Sequence, residues 1–203
     1  MFDGGWAEMA ARVHGLLADL AAAVDGQTPG AEAAAALGEV LGAVRLGELA
    51  VCRVMERVDR SGAYAADGAA STTAFVRGLC QERSSWGSRR VRLGRALADR
   101  LPSTGKAWSA GDLGLEHAEV IARATVDIDD AQLAADVELF LAGQAPGLTP
   151  TELAALAEEI RAQAAPEESA QQTARKRARQ SLHLSTPSMG CGGWTAGWTP
   201  KPD

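Results

Sequence analysis

Aromatic residues make up only 4% of this 203-residue chain, against 42 alanines and 22 glycines. That mixture disfavours a sheet core built on bulky side chains and favours helices packed closely through small ones. Cysteine is sparse too: Cys52, Cys80 and Cys191 are odd in number, far apart, and form no C-x-x-C pair. They exclude a disulfide framework or zinc site and read as small buried hydrophobes in a reducing compartment. The three histidines, His14, His117 and His183, include no pair at helical ligand spacing, so no metal centre is expected. Gln180 to Pro200 carries no Asp, Glu, Lys or Arg, but Pro187, Gly190, Gly192, Gly193 and Gly197 interrupt it as a membrane helix. The opening Met1-Phe2-Asp3-Gly4-Gly5 lacks the basic start and apolar run of a secretory signal, so a cytoplasmic chain with no membrane contact is expected. The signatures G-x-x-x-x-G-K-[ST], G-x-G-x-x-G and G-x-S-x-G are absent as well, and no cofactor is expected.

What is present is charge, unevenly placed. The net charge is −6, yet residues 77–106 carry +6 and 171–180 carry +4, while 1–76 carry −5 and 107–170 carry −11. A basic band in an acidic chain either offers a local positive face to a polyanion or neutralises acidic helices inside the fold.

Hydrophobic periodicity predicts helices almost throughout. Trp6, Met9, Val13, Leu16, Leu17 and Leu20 recur by threes and fours over residues 5–24. A longer helix over 31–60 carries Leu37, Leu41, Val44, Val51, Met55 and Val58 as a seam, with Glu48 in the one missing place, reaching past the seam to water. This seam is expected to pair with the first helix as an antiparallel hairpin. Ser71 caps a short helix with Phe75, Val76 and Leu79 inward, and Ser84 or Ser85 caps the next, which ends near Ala98. Ser103 opens a short helix with Trp108, and another covers 115–125. Over 130–142 the inner face is Leu133, Val137, Phe140 and Leu141. At 148–163, Thr149 and Glu152 form a capping box around Pro150, with Leu153, Leu156 and Ile160 buried. A polar basic helix over 167–180 and a strand-like Ser181-Leu182-His183-Leu184-Ser185 follow. The fold class is therefore all-α: a bundle with one long helical hairpin over 1–180, and an irregular tail over 181–203.

Residues 71–98 have the dimensions of a helix-turn-helix. On its second helix Trp86, Leu93 and Leu97 share a narrow sector, while Arg89, Arg92 and Arg95 form an i, i+3 ridge with Arg90 on the other flank. Guanidiniums fixed beside a buried stripe suit phosphate contact, and carboxylates of the 107–170 segment are the competing partners. Arg175, Lys176, Arg177 and Arg179 form a second basic run, read first as a tether and otherwise as a nucleic-acid patch. His117, in the first turn of its helix, is explained by burial or a local hydrogen bond. Asp127, Asp129 and Asp130 lack the Gly and terminal Glu of a calcium loop and mark a loop and helix start. No active site assembles from these residues.

Several blocks in order carry a resemblance. They include Met55-Glu56-Arg57-Val58-Asp59-Arg60-Ser61-Gly62-Ala63, Arg90-Val91-Arg92-Leu93-Gly94-Arg95-Ala96-Leu97-Ala98 and Ala110-Gly111-Asp112-Leu113-Gly114-Leu115-Glu116-His117-Ala118. Leu148-Thr149-Pro150-Thr151-Glu152-Leu153 and Ser181-Leu182-His183-Leu184-Ser185 complete them. Over about 40–186 the chain resembles the family catalogued as domain of unknown function 222, the 13E12 repeat family. The resemblance implies an all-helical region ahead of an HNH endonuclease domain, hence work on or near DNA, with no catalytic residue to carry over. After about Ser185 the sequence departs from the pattern into Pro187-Ser188-Met189-Gly190-Cys191-Gly192-Gly193, as a truncation would produce, and no metal-dependent cleavage is expected. The expected function is a non-catalytic helical module that contacts DNA through 83–100. The alternatives are a scaffold for a helical protein partner or a homo-oligomer, or a truncated fragment without function.

Overall fold

The computed structural model of the chain describes residues 5–24 and 27–164. Eight α-helices run through them: α1 Gly5–Ala23, α2 Gly30–Ser61, α3 Thr72–Cys80, α4 Ser84–Asp99, α5 Pro102–Ala110, α6 Leu115–Thr125, α7 Ala131–Gln144 and α8 Pro150–Ala164. Short 3-10 turns cover Ala63–Asp67 and Ala145–Gly147. No strand occurs among the described residues, and the all-α expectation holds. The strand-like 181–185, the basic helix expected over 167–180 and the boundary expected at 180/181 lie outside them.

The helix ends follow local chemistry. Ser71 Oγ accepts the Ala74 N–H at 3.2 Å, and Asp130 Oδ1 accepts the N–H groups of Gln132 and Leu133 at 2.8 and 3.2 Å. Thr149 and Glu152 close the capping box: the Glu152 carboxylate accepts the Thr149 N–H at 2.8 Å, and Thr149 Oγ1 accepts the Glu152 N–H. Gly62, at φ +69°, stops α2 in the left-handed conformation that a Cβ would strain. Two expected starts shift. Arg83 occupies the cap position of α4 with no side-chain cap, and Pro102 rather than Ser103 opens α5, where its missing N–H costs nothing.

Residues up to Ala157 form one compact unit; α8 continues from it into a second, whose described part starts at Glu158. Within the first unit α2 packs along α4, α3 lies against α4, and α6 and α7 pack together. Trp108 is fully buried, and its indole Nε1 donates to the Arg45 carbonyl at 2.8 Å, so its one polar atom is satisfied. Leu101, Leu113, Ile121, Leu141 and Leu153 are also out of water, and Cys52 is fully buried on α2.

The buried stripes are not always the predicted ones. On α2 the core-facing residues are Leu49, Cys52 and Met55; of the expected seam Met55 is buried and Val51 and Val58 are half-buried, while Leu37, Leu41 and Val44 are 55%, 48% and 52% exposed. Glu48 does not reach past the seam to water alone; it binds a guanidinium of α4. No residue of α1 is buried, so the antiparallel pairing expected with the α2 seam does not cover its apolar stripe. On α7 the face is rotated: Val137 and Leu141 are inside as expected, but Leu133 and Phe140 are exposed, and the acidic Glu138 is buried beside Ala142. Leu79 of α3 is exposed as well.

Candidate functional site

The α3–turn–α4 unit has helix-turn-helix dimensions, with a three-residue turn over 81–83. Gln81 starts that turn at φ +55°, an uncommon conformation for a non-glycine residue. What fixes α4 is its crossing with α2. A Cβ on Gly94 would run into the Cys52 carbonyl oxygen and would lie 2.9 Å from Glu56 Cβ, so only glycine permits so close an approach. Val91, Leu93 and Ala96 are buried on this helix, while Trp86 and Leu97 of the predicted stripe are half-buried.

The four arginines of α4 divide sharply. Arg90 is 8% exposed; its guanidinium lies 4.0 Å from the Trp86 ring centroid, and Nη2 donates to Glu48 Oε1 of α2 at 3.1 Å. Its buried Nε finds no partner among the described residues. Arg89 donates from Nε and Nη2 to both carboxylate oxygens of Glu119 on α6, the first at 2.8 Å. Those hydrogen bonds, and the charge behind them, hold its guanidinium above its ordinary value. Arg95 donates to Asp59 Oδ2 of α2 at 2.7 Å, and Asp59 Oδ1 accepts the buried Thr72 hydroxyl at 3.0 Å. One carboxylate thereby joins α2, α3 and α4. Only Arg92 is exposed and makes no hydrogen bond or ion pair among the described residues.

So the outward ridge expected from helical spacing is largely turned to other use. Arg89 and Arg95 sit on the surface, each tied to a carboxylate of another helix, and Arg90 is inside. The competing partners are also not confined to the 107–170 segment, since Glu48 and Asp59 belong to the acidic first segment. Arg60 extends the network, donating to Asp99 Oδ1 at 2.8 Å and also pairing with Glu56. Arg100 reaches the Ala122 carbonyl at 3.4 Å. The second basic run, Arg175, Lys176, Arg177 and Arg179, lies outside the described residues.

The remaining polar groups read as structural. His117 Nε2 is 2.9 Å from the Leu148 carbonyl, which can only accept, so that nitrogen carries the proton. The bond spans 31 residues and is not local. Among the described residues no group of three or more His, Cys, Asp or Glu could hold a metal ion. Burial pushes the Cys52 thiol up to about 12, which keeps it protonated and unreactive, while Cys80 is a free exposed thiol. A cleft of about 460 Å³ is lined by Arg53, Glu56, Gly94 and Lys106, but Arg53 donates to Ser109 and Glu56 is held by Arg60. No described helix is long and apolar enough to cross a membrane.

Sequence reasoning missed the acceptors: Glu48, Asp59, Glu119 and the buried Glu138. Glu48, the single acid interrupting an apolar seam, carried a usable signal; the others did not.

Residues 31–195 match a family described as Domain of unknown function (DUF222). The match runs past Ser185, as far as Thr195. No curated protein and no solved structure matches the chain.

Proposed function

Since the chain belongs to the DUF222 family, whose description assigns no activity, we propose from the site itself that the helical region is a non-catalytic interaction scaffold. The observation that carries this reading is the commitment of Arg89, Arg90 and Arg95 to Glu119, Glu48 and Asp59, which makes the basic helix a brace between α2, α4 and α6. Breaking a pair that holds a buried guanidinium leaves an uncompensated charge, so such a brace is costly to open. The free Cys52 and Cys80 thiols support a reducing, cytoplasmic setting. The resemblance to helical regions that precede an HNH endonuclease supports work beside DNA chemistry done by another domain. Changing Arg89, Arg92 and Arg95 together to Ala is expected to lower the denaturation midpoint and to leave DNA retention unchanged.

A second reading, DNA contact through α4, is favoured by Arg92, exposed and without a partner among the described residues. Arg89 and Arg95 side chains are 49% and 57% exposed, although Glu119 and Asp59 are only 18% and 17% exposed, so both guanidiniums keep a face open to solvent. Phosphates could therefore take them over, with Arg175, Lys176, Arg177 and Arg179 adding charge and Arg90 holding the helix. Salt-dependent DNA affinity whose slope flattens in Arg92→Ala would establish this reading and remove the scaffold.

A further inference from the structure

We infer that α1 and the first half of α2 form the interface of a homodimer, two helices from each copy closing one four-helix bundle. This deepens the scaffold reading, on which it rests, by naming the occupant of its surface. Two lengths of helix lack a covered face. α1 has 19 residues and none is buried. On α2 the first buried residue is Leu49, which leaves Gly30 to Glu48, also 19 residues, without a buried side chain. Most helical stability in proteins comes from packing an amphipathic face, so faces that the rest of the chain leaves uncovered call for a partner surface.

The uncovered faces are apolar and organised. At about 100° per residue, the stripe of α1 from Trp6 through Leu16 and Leu20 to Val24 falls within a sector of about 100°, the width of a bundle-core face rather than a narrow two-stranded seam. Trp6 is 75% exposed and Leu16 68%. On α2, Leu37, Leu41 and Val44 fall within about 60° of one another and are each about half exposed. Glu8, Arg12 and Asp19 lie on one flank of the first stripe, and Glu32 and Glu39 lie on the far side of the second. Glu48, which ends the second stripe, is already paired with Arg90, so two copies can meet without burying an unpaired charge.

The area decides the occupant. Exposed apolar side chain on the two stripes is on the order of 1,000 Å² per chain, against about 800 Å² per partner in a standard interface. It also exceeds the few hundred Å² that a monomer usually leaves open. The stripe of α1 runs about 28 Å at 1.5 Å per residue and that of α2, from Leu37 to Val44, about 12 Å, so each chain supplies two of the four faces that a four-helix core needs. A two-fold axis brings the same surface to itself and completes the set.

Sedimentation equilibrium on the full chain over a dilution series tests this. The expected mass is twice the 21.0 kDa of one chain. Leu16→Asp combined with Leu41→Asp is expected to raise the dimer Kd by about 100-fold or more, with the urea midpoint of the remaining core unchanged. Ala11→Asp, on the opposite side of α1, is expected to leave the mass doubled, which separates loss of the stripe from added charge. A single-chain mass at every concentration overturns the inference without touching the arginine brace, and so does a monomer that sediments only with phosphatidylcholine vesicles. A DNA salt slope that flattens in Arg92→Ala removes the scaffold reading instead, and is read in a separate titration.

Discussion

The Glu138 carboxylate of α7 accepts both the backbone N–H and the hydroxyl of Thr104, at 2.6 and 2.7 Å, in the first turn of α5. Leu101, at the cap position of α5, offers no side-chain acceptor, so an acid 34 residues away serves as the cap. Glu138 is 1% exposed and Thr104 is fully buried, which places a carboxylate at the positive end of a helix in a dry setting.

Glu138→Ala is expected to cost about 3 kcal/mol in urea unfolding, because it strands a buried N–H and hydroxyl and leaves a void. Glu138→Gln keeps an acceptor and the volume, and is expected to cost about 1 kcal/mol. Equal losses in the two variants would show that packing, not the cap, is what Glu138 supplies.

The α2–α4 crossing gives a second test. Gly94→Ala places a methyl against the Cys52 carbonyl and Glu56 Cβ, atoms of a helix that cannot yield locally, and is expected to cost about 3 kcal/mol or to prevent folding. Gly87→Ala, on the same helix, meets Thr73 Cγ2 at an ordinary 3.5 Å. It is expected to be neutral or to stabilise by about 0.5–1 kcal/mol through helix propensity. Thermal melts of both variants check the pair.

Local features were legible in the sequence because their determinants are neighbours in the chain. Ser71, Asp130 and the Thr149–Glu152 box each bond a group within three residues, and the short helix, turn and longer helix of 71–98 follow from turn chemistry alone. Face assignment was not legible where two stripes compete. Leu41 and Val44 are as apolar as Leu49 and Cys52, and what sets the second pair apart is the packing of α2 against α4, α5 and α6. The arginines of α4 were placed on the right helix, but their acceptors lie 42, 36 and 30 residues away in Glu48, Asp59 and Glu119. A helical wheel shows which side chains share a flank and carries no information about what another helix presents to it.

The capping box predicts a pH response. The Thr149 backbone and hydroxyl hydrogen bonds hold the Glu152 carboxyl below its ordinary 4.5. A depressed pKa favours the folded state above the unfolded value, and that contribution is lost as pH falls through the folded one. Protection of the Thr149 and Glu152 amides, corrected for intrinsic exchange rates, is therefore expected to fall below pH 4.5, at the α8 N-terminus first. Glu152→Gln retains a capping-box acceptor and removes the titration, so its exchange over the same range is expected to be flat after correction for intrinsic rates.

Cys52 predicts the opposite response at the alkaline end. Burial raises its thiol from 9.0 to about 12, with the Arg90 charge offsetting part of that shift. The unfolded chain loses this proton near pH 9 and the folded chain keeps it, so the unfolded state binds fewer protons in between. Stability must then fall as pH rises from 9 toward 12, by up to about 1.4 kcal/mol per unit. Cys52→Ala removes the titrating group, so its stability curve is expected to be flatter than that of the parent above pH 9, whatever constant loss the smaller side chain brings. In a Cys191→Ser background a thiol reagent at pH 8 is expected to consume Cys80 at once and Cys52 only on unfolding. Parallel curves together with a rapid second thiol would mean that α2 and α4 part readily at Gly94, and that the brace of Arg89, Arg90 and Arg95 does not hold them closed.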